Sequence, residues 1–262
     1  MDLGIKGKVA FVMAGSKGLG KGVALKLAEE GALVSIMARS MENLKKAQEE
    51  IKTKTGFEPL IVSGDATKKD DVLRAIDETV KTYGTIHILF TNAGGPPSGG
   101  FFDVKPEDYL DAVHLNLMST IYAVYGVKDL MIKQKWGRII ASTSISVKQP
   151  LDNLILSNVS RAGVVAFIKS VSNSLAPYGI TANVVAPGYT MTERVENLLK
   201  ARVEKEGITF EEAEKTMVAS IPMKRIGTVE EFASTVVFLA SDKASYITGI
   251  VLPIDGGFIK GV

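Results

Sequence analysis

Short runs of aliphatic and β-branched residues alternate along this chain with longer stretches in which apolar positions return every third or fourth residue. The first pattern predicts strands buried on both faces, and the second predicts amphipathic helices packed against them. Strands are expected at Val9–Met13, Leu33–Met37, Leu60–Val62, Ile86–Phe90, Arg138–Ser142 and Thr181–Val185, with one more near the C-terminus. Helices are expected at Gly18–Glu30, where Val23, Ala24, Leu27 and Ala28 share a face, and from Met41 to about Lys54. Further helices are expected near Asp70–Tyr83, Glu107–Lys133 and Asn158–Ala176. This alternation predicts βαβ units, hence an α/β fold: a doubly wound parallel sheet flanked by helices on both faces. The stretch of roughly 193–220 is rich in Glu, Lys and Arg and reads as two amphipathic helices before the final strand, placed as a lid over a cleft. No repeat, low-complexity tract or linker divides the chain, which reads as one domain over 1–262.

Composition excludes several classes of function. The charges nearly cancel, 31 basic residues against 29 acidic, which argues against nucleic acid as a partner. No apolar run reaches the roughly 18 residues of a membrane span, and the N-terminal segment has no signal-like apolar core, so no membrane partner is expected. The absence of cysteine excludes a disulfide framework and suits a reducing cytosol, so the expected location is cytoplasmic. His87 and His114 are the only histidines; they form no zinc-type cluster, and no metal is expected. His-Glu-x-x-His and Gly-x-Ser-x-Gly are both absent, which leaves zincin and hydrolase readings without support.

Candidate chemistry begins at Ala14-Gly15-Ser16-Lys17-Gly18-Leu19-Gly20, between the first strand and the first helix. Glycines there let the backbone turn tightly and approach a phosphate, while the helix N-terminus offers free N–H groups to a pyrophosphate. Gly15, Ser16, Lys17, Gly18 and Leu19 are therefore candidate dinucleotide contacts, and the sheet is expected to be of the Rossmann type. A rival reading is a P-loop, since Gly15, Gly20 and Lys21 match most of that motif; Gly22, however, stands where the magnesium-binding Ser or Thr is needed. The second strand ends in Ala38-Arg39 with no acidic residue to grip a ribose diol. Arg39 can instead pair with a 2′-phosphate, with Lys17 as a second cation, which predicts NADP(H) in preference to NAD(H).

Several further motifs, in order along nearly the whole chain, resemble the short-chain dehydrogenase/reductase family. Asp65-Ala66 is similar to the pair that flanks the adenine, and Asn92-Ala93-Gly94 to the family's Asn-Asn-Ala-Gly. Asn116 matches the helix Asn of its proton relay, and Ser144 the Ser that hydrogen-bonds the substrate carbonyl. Pro187-Gly188 and Thr192 resemble the loop that meets the nicotinamide carboxamide. Arg225-Ile226-Gly227, Phe238 to Asp242, Ser245 to Gly249 and Asp255-Gly256-Gly257 look most like the β-ketoacyl carrier-protein reductase branch, which implies a homotetramer. Met13-Ala14 stand in place of the family's first Thr-Gly, so Gly15 is expected to supply the turn's flexibility one residue later.

The largest departure is Ser157-Asn158-Val159-Ser160-Arg161, where the family has Tyr-x-x-x-Lys. None of the 7 tyrosines is followed by Lys four positions on, so the motif has not moved elsewhere. Serine is far less acidic than tyrosine, and arginine does not pass protons as an amine does. Arg161 still carries a charge and five donors, enough for the nicotinamide ribose and an oxyanion. The implied function is an NADP(H)-dependent oxidoreductase moving hydride between nicotinamide and a small-molecule carbonyl or alcohol. Its catalytic candidates are Asn116, Ser144, Ser157 and Arg161, with the proton from water or from Tyr189, Lys148 or His114. The alternative is a dinucleotide-binding protein with little or no turnover, a sensor or partner subunit. Gly94 to Gly100 with Phe101-Phe102, and Leu151, Leu154, Ile155 and Leu156 opposite, would wall an apolar or acyl substrate.

Overall fold

Alternate side chains of the first strand enter two different cores. In β1 (Val9–Met13), Ala10 and Val12 pack with Leu27, Ile36 and Phe232, while Val9, Phe11 and Met13 pack with Val72, Ile139 and Ile168. A strand with no polar face needs helices on both sides, and the chain supplies them. The computed structural model describes residues 2–261. Its other strands are β2 (Leu33–Ala38), β3 (Leu60–Ser63), β4 (Ile88–Thr91), β5 (Gly137–Ser142), β6 (Ile180–Pro187) and β7 (Val251–Ile254). They form a seven-stranded parallel sheet in the order β3-β2-β1-β4-β5-β6-β7. Val9 lies opposite Leu33 of β2, and Ala10 opposite Ile88 of β4.

One face carries α1 (Gly18–Glu29), α2 (Met41–Thr55) and α9 (Val229–Leu239); the other carries α3 (Lys69–Tyr83), α5 (Ser119–Gln134) and α6 (Ile155–Leu175). Glycine at position 22 is explained here, because the Val229 side chain of α9 occupies the space a Cβ would need. α9 was not expected from the sequence. Its buried positions Phe232, Ala233, Val236, Val237 and Leu239 return at helical spacing opposite exposed Glu230, Glu231 and Ser234, and Thr228 and Glu231 close its first turn as a reciprocal cap. Arg225 and the cap N–H of Thr228 hold the Glu231 carboxyl down to about 2. The resulting contribution to stability is present above the unfolded carboxyl's pKa and is lost as pH falls toward 2.

The expected helix over 107–133 is interrupted. α4 (Pro106–Val113) and α5 are joined by one wide turn at His114–Met118. Ser119 Oγ donates to Leu115 O and Thr120 Oγ1 to Asn116 O, and such back-bonding competes with the regular ladder. Between β6 and α9 lie α7 (Glu193–Glu206) and α8 (Phe210–Val218), which share a small core of Leu199, Ala213, Val218, Ile221 and Ile226. Among the described residues no helix is long and apolar enough to cross a membrane.

Phe232 is fully buried beneath the sheet, edge-on to Phe90 at 6.3 Å between ring centroids. Phe232→Ala is expected to destabilise the protein by about 3–5 kcal/mol; the check is the shift in urea midpoint at unchanged slope.

Candidate functional site

The chain runs from β1 outward to β3, then returns across β1 to β4, so successive crossovers leave the middle of the sheet in opposite directions. The carboxyl ends of β1 and β4 therefore border a crevice, the usual ligand site of open α/β sheets. A cavity of about 940 Å3 lies there, lined by the nucleotide turn, the ends of β2, β4, β5 and β6, and the start of α7.

One end of the cavity is built by the start of α1. The N-cap residue Lys17 is extended and caps with no side chain, and the first turn holds no acidic residue. By contrast Ser40, Thr192, Thr209 and Thr228 cap α2, α7, α8 and α9 with their hydroxyls. The N–H groups at the start of α1 thus stay available, facing a cavity lined by Ser16, Lys17, Gly18 and Leu19, a donor set suited to a pyrophosphate. The turn follows a different path from the one expected. Ala14, not Gly15, takes the left-handed conformation, at φ 49°. Gly15 points into the sheet: its N–H donates to Met37 O at 3.1 Å, and a Cβ there would lie 2.8 Å from Ile36 Cγ2. It is a packing position, and it does not line the cavity. Gly20 is needed because a Cβ would collide with Ala14 O. Lys21 turns away to Glu50 at 2.6 Å, so the P-loop reading loses its phosphate lysine.

Arg39, Asp65, Ala66, Asn92, Gly94, Pro187, Gly188 and Thr192 all line the cavity. Arg39 is exposed, and its own carbonyl accepts from Ser63 Oγ at 3.0 Å. Asp65 is turned inward on its loop, accepting from Thr67 N and Oγ1. No heavy atom lies within 4 Å of a Cβ built on Gly94, so the backbone there is bare toward the cavity. Lys17 is already ion-paired, at 3.0 Å, with Glu193 on the first turn of α7. The bare glycine backbone, the uncapped α1 and exposed Arg39 together fit a phosphorylated dinucleotide.

At the other end of the cavity stands Arg161, 7% exposed. Its Nε donates to Ser157 Oγ at 3.1 Å, one turn back on α6, and its Nη1 donates to Thr143 O at 3.0 Å and to Ser142 O at 3.4 Å. All three partners are neutral. Burial, with the charge of Arg194 adding to it, pushes the guanidinium down to about 10. Ser157, Ser144 and Asn116 stand behind this surface and do not line the cavity. Ser144 Oγ accepts from Ser146 N at the start of a short 3-10 turn. Asn116 sits in the wide turn between α4 and α5, with Nδ2 on Ser160 Oγ at 3.1 Å and Oδ1 buried without a partner among the described residues. Of Tyr189, Lys148 and His114, Tyr189 lines the cavity, while Lys148 and His114 are exposed elsewhere.

Arg194 is the residue the sequence reading passed over. It projects from the first turn of α7 across the cleft, and its guanidinium fills the space a Cβ on Gly95 would occupy. A basic residue two positions beyond Thr192 was the available signal, hidden among the other charges of the expected lid.

Residues 13–259 match the family described as enoyl-(acyl carrier protein) reductase. The chain is 32% identical over 256 residues to the NADPH-dependent reductase BacG of Bacillus subtilis, covering 97% of this chain and 99% of that one. It is 34% identical over 251 residues to the 3-oxoacyl-[acyl-carrier-protein] reductase FabG of Staphylococcus epidermidis, covering 95% and 98%. The crystal structure of L-sorbose reductase from Gluconobacter frateurii, complexed with NADPH and L-sorbose, superposes with a TM-score of 0.97 at 28% identity, covering both chains fully.

Proposed function

The chain belongs to the short-chain dehydrogenase/reductase family, and from that premise we propose an NADP(H)-dependent oxidoreductase acting on a small-molecule carbonyl or alcohol, similar to the ketoacyl reductases. One observation carries the reading: a cavity with an uncapped helix N-terminus at its phosphate end and an unpaired, buried arginine at the other. When bound, the nicotinamide supplies the hydride. Residues Ser16 to Leu19 would hold the phosphates, Pro187, Gly188 and Thr192 would meet the nicotinamide carboxamide, and Arg39 favours NADP(H) over NAD(H) because it offers a two-pronged donor where a diol-binding carboxylate is missing.

We place Ser157 and Arg161 at the positions of the family's Tyr and Lys. Their 3.1 Å hydrogen bond, one helical turn apart, supports that placement. Arg161 presents positive charge to the substrate oxygen and stabilises it as negative charge develops. The bonds to Ser142 O and Thr143 O hold the guanidinium in place, so no reorientation is needed at the moment of reaction. Ser157 accepts from Nε and keeps its own proton available to donate, while Ser144, next in the chain after the Thr143 carbonyl that holds Arg161, offers a further hydroxyl. Asn116 positions α6 through Ser160. Water in the open cleft delivers the proton.

The same reading makes residues 193–220 a lid on a single domain, supported by their separate core and by the Lys17–Glu193 pair across the cleft. A homotetramer belongs to it as well, supported by the unpaired edge of β7 and by Tyr246, fully exposed nearby. The cytoplasm is its compartment. Titration of the purified protein with NADPH and NADH, followed by single-turnover oxidation of bound NADPH across a panel of carbonyl compounds, tests the whole. NADPH is expected to bind tighter and to be oxidised by some members of the panel. Tight binding without oxidation would leave a dinucleotide-binding protein, and binding of neither coenzyme would overturn the assignment.

A further inference from the structure

Arg74, Arg138, Arg202 and Arg225 each pair with a carboxylate. The chain's remaining arginines, Arg39, Arg161 and Arg194, have no carboxylate partner among the described residues, and all three line the cavity. A buried cation without a counter-ion is unfavourable even after the protein relaxes around it, so an unpaired guanidinium held against neutral carbonyls points to a missing anion. The acidic side chains lining the same cavity are already engaged, Asp65 with Thr67 and Glu193 with Lys17.

One anion does not satisfy all three arginines. Arg39 follows β2, whereas Arg161 is anchored on carbonyls at the end of β5, and β1 and β4 lie between. Three strand spacings amount to roughly 14 Å. The phosphates of a dinucleotide have their own donors in Arg39 and the start of α1. Arg161 of α6 is held by carbonyls at the end of β5, and Arg194 of the lid lies against Gly95, just beyond the neighbouring strand β4; both line the cavity, where the charge of Arg194 also acts on Arg161. Nε and Nη1 of Arg161 are used within the chain, and Nη2 has no hydrogen bond among the described residues.

We propose that Arg161 and Arg194 clamp a carboxylate carried by the substrate beside its reacting carbonyl, so that the preferred substrates are oxo acids and not neutral ketones or sugars. This deepens the reductase reading and rests on it for the carbonyl. A guanidinium fork matches a carboxylate in two-pronged fashion. The carboxylate lies next to the carbonyl because the single free edge of Arg161 must serve both. Closing Arg194 onto the acid also draws the first turn of α7 over the substrate.

Calorimetry on the protein loaded with NADP+, which cannot reduce the ligand, tests the clamp with short- and medium-chain 2-oxo acids, each paired with its neutral methyl ester. The acids are expected to bind at least about tenfold tighter than their esters. Arg194→Leu, an exposed substitution, is expected to erase that difference while NADP+ affinity changes less than about twofold, and Arg194→Lys to retain part of the difference. Equal binding of acid and ester by the parent, or a difference that survives Arg194→Leu, would overturn the proposal. A variant that loses NADP+ in proportion to the acid would overturn it too, by giving Arg194 to the coenzyme. Failure of the parent to bind NADP+ would instead refute the coenzyme reading, and the acid–ester comparison without nucleotide then judges the arginine pair alone.

Discussion

Arg161→Leu is expected to lower kcat/KM for carbonyl reduction about 10³-fold, at the upper end of what loss of one oxyanion donor costs. The effect should be this large because the other candidate groups, Ser157, Ser144 and Asn116, sit behind the cavity surface and carry no charge. Stability should move little, since two effects oppose. Removing an unpaired buried cation is favourable, while the Ser142 and Thr143 carbonyls lose a donor. Arg161→Lys, which keeps the charge but not the fork, should recover part of the rate. The pH profile gives a separate check. With Arg161 pushed down to about 10 by burial, the parent's kcat should fall as pH rises through 10, and that alkaline limb should vanish in Arg161→Leu. The sign for stability is opposite: between pH 10 and the unfolded arginine's higher pKa the unfolded chain binds the extra proton, so this group favours folding increasingly as pH rises. A rate unchanged in Arg161→Leu would remove the arginine from the chemistry.

Arg39→Asp is expected to weaken NADPH binding about 100-fold and to strengthen NADH binding, reversing the preference. Arg39 has no ion pair among the described residues, and the neighbouring helix start is secured independently by Ser40, whose hydroxyl accepts from Asn43 N. The substitution therefore exchanges a phosphate-binding fork for a diol-binding carboxylate without disturbing α2. Fluorescence titrations of both coenzymes measure it. Equal affinities in the parent, or equal losses in the variant, would show that Arg39 does not read the 2′-phosphate.

Most elements of the fold were legible because strand and helix periods are local and the turn residues sit at their ends. β1, β2 and α1 to α3 lie within a residue or two of their expected bounds. The misses have physical causes. The apolar run Val236-Val237-Phe238-Leu239-Ala240 at the end of α9 suits a short buried strand as well as a helix, and periodicity alone does not separate the two over so short a stretch. The wide turn at His114–Met118 depends on hydroxyls bonding back to carbonyls, which a hydrophobic pattern does not register. Gly15 was read as a phosphate contact, yet it is a glycine because Ile36 leaves no room for a Cβ, a fact about a neighbouring strand.

Hydrophobic spacing, the glycines of the first turn and the chemistry of single side chains were enough to determine a doubly wound sheet, the glycine turn that lines its crevice and a Ser–Arg pair one helical turn apart. The tertiary structure alone decided which charges are spent. Lys17 stands in the sequence as a second cation beside Arg39, and Lys21 as the lysine of the rival P-loop; only the fold shows that Glu193 and Glu50 hold them. The arginines left over, Arg194 among them, line one cleft whose walls come from distant parts of the chain. Ion pairing depends on distance in space, and a linear sequence does not contain that distance.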